Sequence, residues 1–441
     1  MGNQALLFVG IDWGSDAHYV RCCDFADTGV WEGVFCSDAA GLVGLAKKLE
    51  ELSREGPERT FVAIERPDGP VVATLQQAGF RVHCVSPNRV KKYRELWYPS
   101  GVKDDYRDAF ILSAILRTMP GCCRFLEPKS EPSNRMGAQV RYHWNLAHHK
   151  TQFSNSVRDH LKMYYPQFLE VSKDLGAAWV VALWRAAPNP RAAGELTLAD
   201  VRSVLSKNRG KVSRAPKVLE ILQRAPIATM PGEAECKEQQ CAYYFGLLES
   251  TVKEQKRVDK ELTALSAPKP REVSIPPAVE PVAPSSLSVE KEAVEAAREG
   301  APVDQPSVSQ ILASMPGAGP LTRSAFLGLV PQALEMGNVE GLRAMCGTAP
   351  ISLISGKQKS VRMRKYCDHQ LRDVVHHWAI NAVNRDAFYR AKFHRHKSTG
   401  LTTGAALRRV ADSLVTTLGA LIENGCLYDP AYKLAEMAKT G

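Results

Sequence analysis

The chain has 441 residues, with 57 Lys and Arg against 47 Asp and Glu and a formal charge of +10. Its 44% hydrophobic and 24% charged residues exclude a wholly disordered chain or a fibrous repeat, and its length allows two to three domains. No apolar run reaches the ~18 residues of a membrane span, so no membrane partner is expected. The N-terminus lacks the basic leader of a secretory signal, and Leu6 stands where a myristoylation signal wants Ser or Thr, which points to a cytoplasmic location. Eleven cysteines, including the adjacent pairs Cys22-Cys23 and Cys122-Cys123, suit neither a disulfide framework nor zinc spacing.

In chain order, Leu6 to Asp12 is an apolar run of strand length, and Ala17 to Cys23 and Val30 to Cys36 have β character. Leu42, Leu45, Leu49 and Leu52 fall at helical spacing, and Thr60 to Glu65 is a second apolar strand. Val71 to Ala78, stopped by Gly79, reads as helix; Phe80 to Val85 is another strand, and a helix opens at Pro87. Three hairpin-like strands followed by alternating helix and strand describe a mixed α/β sheet covered by helices over residues 1–130, the element order of an RNase-H-like fold.

Residues 131–266 read as helical. One long helix runs through Met136, Val140, Trp144, Phe153, Val157, Leu161 and Tyr164, and a second through Phe245, Leu248, Val252 and Leu262, suggesting a packed or coiled-coil arm. Residues 166–240 are helical and interrupted, with no assignable chemistry. Residues 267–307 hold eight prolines and no aromatic residue, the composition of a partly disordered linker. A mostly helical domain follows over 308–428, with a tail at 429–441. Between Ile351 and Val410 thirteen Lys and Arg face three Asp, a charge excess suited to a phosphate backbone.

Four acids form a constellation. Asp12 ends the first apolar strand and Glu65 the second, while Asp105 and Asp108, three apart, share a face at the start of an apolar helix. Carboxylates that converge in this way require compensating cations, and hard divalent ions with oxygen ligands, Mg²⁺ or Mn²⁺, are the natural partners. Each acid also has a plain structural role open to it: a turn cap, an ion pair, or a helix first turn favoured by the dipole. Asp104 is an alternative to Asp105. The glycines of Pro316-Gly317-Ala318-Gly319 would let backbone NH groups approach a phosphate, or simply close a tight turn between helices. Phe388, Tyr389 and Phe393, interleaved with basic residues, suit either base stacking or a core stripe.

The segments Gly10-Ile11-Asp12-Trp13-Gly14-Ser15 with His18, Ala63-Ile64-Glu65-Arg66-Pro67-Asp68-Gly69 and Lys103-Asp104-Asp105-Tyr106-Arg107-Asp108-Ala109 resemble the three DEDD segments of the insertion-sequence one-ten family of transposases. Further on, Met315 to Pro320 is similar to that family's Pro-Gly-x-Gly hairpin. Gly347-Thr348-Ala349-Pro350 with Ser355-Gly356-Lys357 is similar to its serine segment, and Leu371-Arg372 to its basic helix. The resemblance implies an RNA-guided bridge recombinase of a bacterial mobile element, acting at the nucleoid, with a RuvC-like N-terminal domain and a C-terminal transposase domain. It implies metal binding by Asp12, Glu65, Asp105 and Asp108 and a nucleophilic Ser355 forming a phosphoserine link to DNA, with Ser352 a second candidate. It also implies DNA and guide RNA as partners and a homodimer that assembles to a tetramer. Lys103, Arg107, Gly317, Gly319, Lys357, Lys359, Arg362, Arg364, Lys365 and Arg372 are the expected nucleic-acid contacts. The competing expectation is a metal-dependent nuclease of the Holliday-junction type, with water as nucleophile.

Overall fold

A computed structural model describes residues 7–98, 104–268, 305–355 and 358–440, with the backbone alone at 353–355, 358–360 and 436–440. The chain divides into two compact units, 1–129 and 130–441. Among the described residues, no helix is long and apolar enough to cross a membrane. All eleven cysteines are free thiols, and burial pushes that of Cys22 up to about 12.

The first unit is built on one mixed sheet. Its strands are β1 (Leu7–Trp13), β2 (Ala17–Cys23), β3 (Gly29–Cys36), β4 (Thr60–Ile64), β5 (Arg81–Cys84) and the short β6 (Arg124–Phe125), in the order β3-β2-β1-β4-β5-β6. β1 pairs antiparallel with β2 and parallel with β4, and β4 pairs parallel with β5. The helices are α1 (Ala39–Leu52), α2 (Pro70–Gln77), α3 (Pro87–Trp97) and α4 (Asp105–Thr118). Side-chain caps from Asp38, Ser86 and Asp104 start α1, α3 and α4.

Strand periodicity divides the core between the two faces of the sheet. Leu7, Val9 and Ile11 of β1 pack with Leu42, Leu45 and Leu49 of α1 and Val71, Val72 and Leu75 of α2. On the other face Phe8 of β1 and Ala63 of β4 pack with Val90 of α3 and Ile111, Leu112, Ile115 and Leu116 of α4.

The second unit is helical apart from one ribbon. Its long helices α5 (Glu131–Tyr164) and α10 (Glu233–Leu265) lie side by side and antiparallel, with Arg135 bonded to Glu261 at 2.9 Å near one end and His160 stacked on Tyr244 toward the other. Between them in sequence come the short helices α6 (Ala178–Ala186), α7 (Pro190–Glu195), α8 (Leu198–Lys207) and α9 (Ala215–Leu222). These close a separate core around Tyr165, Phe168, Trp184 and Phe245. The opposite ends of the long helices, at Val140, Leu146, Val258 and Leu262, belong instead to the core of the C-terminal segment.

That segment contains α11 (Val308–Ser314), α12 (Pro320–Leu329), α13 (Pro331–Glu335), α14 (Val339–Met345), β7 (Ile351–Ser355), β8 (Gln358–Arg362), α15 (His369–Arg385), α16 (Ala387–Ser398), α17 (Thr403–Glu423) and α18 (Pro430–Thr440). The arm meets it where Gly137 of α5 crosses Gly328 of α12. A Cβ on Gly328 would stand 2.3 Å from the Gly137 backbone nitrogen. The residues read as a tail thus carry a helix, and a two-stranded ribbon interrupts the helical domain. Of the proline-rich stretch, 269–304 lie outside the described residues.

Candidate active site

Alternation along β1 sets the direction of Asp12. Phe8 and Gly10 face α3 and α4, so Asp12, two residues on, continues that set. β4 behaves likewise, since Ala63 faces α4 and Glu65 follows at the same parity. In the parallel pairing Ile11 stands opposite Ile64, which makes Asp12 and Glu65 the next rung, on strands whose spacing is about 4.8 Å. Both acids are partly exposed.

A missing side chain brings α4 to the same place. A Cβ on Gly10 would lie 1.9 Å from the carbonyl oxygen of Ala109 and 2.6 Å from the Ser113 nitrogen, so only glycine permits this approach. One turn farther along, Arg117 donates to the Phe25 carbonyl at 3.2 Å, and the Phe25 ring lies near that of Phe8. The helix therefore runs back along β1, and its first turn lies toward the carboxyl end of that strand.

The acids of this turn have different duties. Asp104 is the cap: its carboxylate accepts from the Arg107 backbone NH at 2.7 Å and pairs with the Arg107 side chain at 3.1 Å. Asp105 is exposed at the first helical position. Asp108 is 3% exposed and takes both hydrogen bonds of a fork from Arg94 of α3, at 2.7 and 2.6 Å. A buried carboxylate needs a charge partner, and here Arg94 supplies it.

Trp13, which follows Asp12, braces the loop behind Glu65. The Arg66 guanidinium lies 3.9 Å from the centre of its ring, and a Cβ on Gly69, whose φ is +109°, would touch the same ring at 2.8 Å. Beneath it His18 is buried with neither ring nitrogen bonded, its ring 6.3 Å from that of Trp13, and burial lowers its pKa.

Oxygen donors of this kind suit a hard divalent ion. Among the described residues, no three His, Cys, Asp or Glu side chains stand close enough to hold one. The donor chemistry of Asp12, Glu65 and Asp105 suits such an ion, whereas Asp108 is already held by Arg94. The four expected acids thus share one face and one end of the sheet but, among the described residues, do not close into a metal-binding group, and Asp108 is neutralised by Arg94.

Ser355 ends β7, opposite Gln358 at the start of β8 in the antiparallel ribbon. Ser352 is earlier in β7, opposite Val361, and exposed. The feet of the ribbon are held together. A Cβ on Gly347, at φ +67°, would meet the Cys367 sulfur at 2.7 Å, and Arg364 donates to the Ala349 carbonyl at 3.3 Å. Below them Arg343 of α14 forks onto Asp412 of α17, both bonds at 2.8 Å.

The expected nucleic-acid contacts separate similarly. Arg362 and Lys365 are exposed beside the ribbon, and Arg372 is half-buried near Cys367. Arg107 lies over the Tyr98 ring while paired with Asp104. Lys103 and Lys357 lie outside the described residues, and Lys359 is placed on β8 by its backbone.

Gly317 serves packing. At φ +73°, its Cβ would meet the Ala382 nitrogen of α15 at 2.7 Å, and Trp378 donates to the Pro316 carbonyl at 2.9 Å. Gly319, by contrast, has open space around it and starts α12 without a side-chain cap. Tyr389 is buried in the core, with Phe388 and Phe393 packed against it, so the aromatic stripe is structural. Sequence reasoning missed Arg94, which nothing in its segment distinguishes from neighbouring bases, and the bracing by Trp13, signalled only by its position after Asp12.

A sheet with acids at the ends of adjacent parallel strands, faced by an acid-bearing helix, is the frame on which a DEDD-type transposase domain is built. Residues 9–166 match the DEDD transposase model, and residues 309–395 match the model of the IS116/IS110/IS902 transposase family. The chain belongs to the IS110 family of transposases. Its relatives include a Sinorhizobium fredii protein named as transposase y4uE, 34% identical over 49% of this chain and 60% of its own length. A Streptomyces coelicolor protein named as the mini-circle transposase for IS117 is 26% identical over 94% of each chain. The 43.6 kDa protein of insertion element IS110 from the same organism is 21% identical over 96% of this chain and 95% of its own.

Proposed function

We propose that this protein is the recombinase of an insertion sequence, cutting and rejoining DNA strands through a serine-linked intermediate, with divalent metal and a guide RNA. The observation that carries the reading is the shared rung of Asp12 and Glu65, on the face where Gly10 admits α4 and its acids. That arrangement also supports a RuvC-like reading of the first unit.

In this reading the hydroxyl oxygen of Ser355 attacks a DNA phosphorus. One phosphorus–oxygen bond forms to the serine as the bond to the departing deoxyribose oxygen breaks, and the serine proton balances the proton that the departing oxygen takes up. The phosphodiester energy is kept in the protein–DNA link, so a second DNA hydroxyl can reverse the step and reseal the strand. Mg²⁺ or Mn²⁺ held by Asp12, Glu65, Asp105 and Asp108 would stabilise charge on the transferring phosphate. Trp13 and Arg66 keep the Glu65 loop in place, while Arg362 and Lys365 offer cations beside the serine ribbon. The basic segment around that ribbon supports DNA and a guide RNA as partners, and four strand cuts per recombination support a dimer that pairs into a tetramer.

The test is a denaturing gel for a covalent protein–DNA adduct, with co-purified RNA, Mg²⁺ and element-end DNA, comparing wild type, Ser355→Ala and Asp12→Asn. An adduct lost in both variants is expected. Metal-dependent cleavage without an adduct, undiminished in Ser355→Ala, would replace this reading by a nuclease that uses water.

A further inference from the structure

The helical region that sequence reasoning left without chemistry contains a cationic cleft. Lys207, Asn208 and Arg209, at the end of α8, and Lys256, Asp259 and Lys260 of α10 line a volume of about 590 Å³, together with Ala178 at the start of α6. The turn that presents the α8 side is specialised, because Arg209 adopts φ +61°, a conformation that non-glycine residues rarely take. A Cβ on the following Gly210 would strike the Leu205 side chain at 2.6 Å, so the chain doubles back closely there.

The cleft gathers cations that no acid among the described residues holds. Several bases elsewhere on the same unit are held by acids: Arg135 by Glu261, Arg185 by Glu249, Arg224 by Glu170 and Glu220, and Arg257 by Glu254 and Glu261. Among the described residues, none of Lys207, Arg209, Lys256 and Lys260 pairs with a carboxylate, and all four are exposed. The one acid lining the cleft, Asp259, bonds to His143 at 3.1 Å. Residues 201–219 hold six Lys and Arg and no Asp or Glu. Four unpaired cations converging on one concave site raise the local potential and attract a polyanion.

We infer that this cleft is an auxiliary nucleic-acid site, binding the phosphodiester backbone of a duplex or stem away from the acids and the serine. The inference rests on the recombinase reading only in needing a nucleic-acid partner. A groove with cations on both walls tracks adjacent phosphates without reading bases, so the site adds affinity and orientation and leaves sequence choice elsewhere. The uncapped first turn of α6 opens on the same cleft and adds in the same direction.

The experiment is fluorescence anisotropy of a labelled DNA duplex and a labelled RNA stem-loop, titrated with full-length protein over a NaCl series. Wild type is compared with Lys207→Gln/Arg209→Gln/Lys256→Gln/Lys260→Gln, and melting by circular dichroism verifies the fold. Each phosphate contact contributes about 0.9 to the slope of log affinity against log salt on duplex DNA. The quadruple variant is expected to bind at least about tenfold more weakly at low salt, with a slope shallower by roughly 2 to 4. A loss confined to one probe assigns the cleft to that nucleic acid, and a loss with both assigns it to the shared backbone. Should the quadruple variant melt early, Lys207→Gln/Arg209→Gln alone is expected to show about half the slope change. Affinity and slope equal to wild type on both probes would overturn the inference, whereas wild type binding neither probe would overturn the recombinase reading itself.

Discussion

The acid end of the sheet and the serine ribbon are built on opposite plans. At the sheet, backbone touches backbone: Gly10 lies under α4, Asp108 is forked by Arg94, and Trp13 is wedged against Arg66 and Gly69. The ribbon is two strands with no third partner among the described residues, pinned at its feet, with Val361 69% and Tyr366 56% exposed. Carboxylates that share an ion must be fixed to within about half an ångström, which requires a core. Under the proposed reading Ser355 would meet a large substrate brought to it, a task that needs no such core.

Substitutions at the acid end should therefore cost stability, and the largest cost falls on Arg94. Arg94→Leu leaves Asp108 buried without a partner and is expected to destabilise the first unit by about 3–5 kcal/mol, read by denaturant unfolding. The double variant Arg94→Leu/Asp108→Leu should recover most of that loss. No recovery would mean that the pair does not carry the effect.

Gly10→Ala comes next. Its methyl group would overlap the Ala109 carbonyl, so α4 must move, at about 2–3 kcal/mol, with reduced adduct formation because the acids of α4 move with it. In the second unit, Gly317→Ala combines a positive φ with contact against the α15 backbone and should cost about 1–3 kcal/mol, while Gly319→Ala, in open space, should stay within roughly 0.5 kcal/mol. Equal effects at the two glycines would show that Gly317 does not pack as described. On the ribbon, Val361→Ser should change stability by less than about 0.5 kcal/mol, in contrast to any of the buried positions around the acids.

The α/β unit was legible because its signals are local. The apolar runs Leu7 to Asp12 and Thr60 to Glu65, leucine spacing in α1 and proline at the start of α3 each specify an element without help from distant residues. Asp105 and Asp108 were placed on one helix because three residues make most of a turn. What escaped was set by partners far off in sequence. Nothing near Arg94 announces that its fork will reach Asp108, and Gly317 reads equally well as a phosphate turn until α15 is laid against it. The ribbon escaped because Ile351 to Arg362, short and polar at its centre, carries too little periodicity to declare strands. The acid-free run over 201–219 was visible in the sequence, but only the fold sets Lys256 and Lys260 across from it.

The smallest effect is the one with a sign to be worked out. His18 is buried behind the acid end with both ring nitrogens unbonded, and burial lowers its pKa, so the folded chain resists the proton that the unfolded chain accepts near pH 6.5. Above that pH both states are neutral and His18 contributes nothing. Below it the unfolded state binds more protons, and stability falls with pH by at most about 1.4 kcal/mol per unit until the folded ring titrates as well. His83, whose pKa burial also lowers, acts in the same direction, so removing His18 should reduce the acid sensitivity without abolishing it. Melting curves at pH 7.5, 6.5 and 5.5 should show His18→Leu at least as stable as wild type at the highest pH, because it deletes two unsatisfied nitrogens, and losing fewer degrees on acidification. Parallel losses in the two proteins would place the acid sensitivity elsewhere and leave the buried His18 ring as a passive part of the packing.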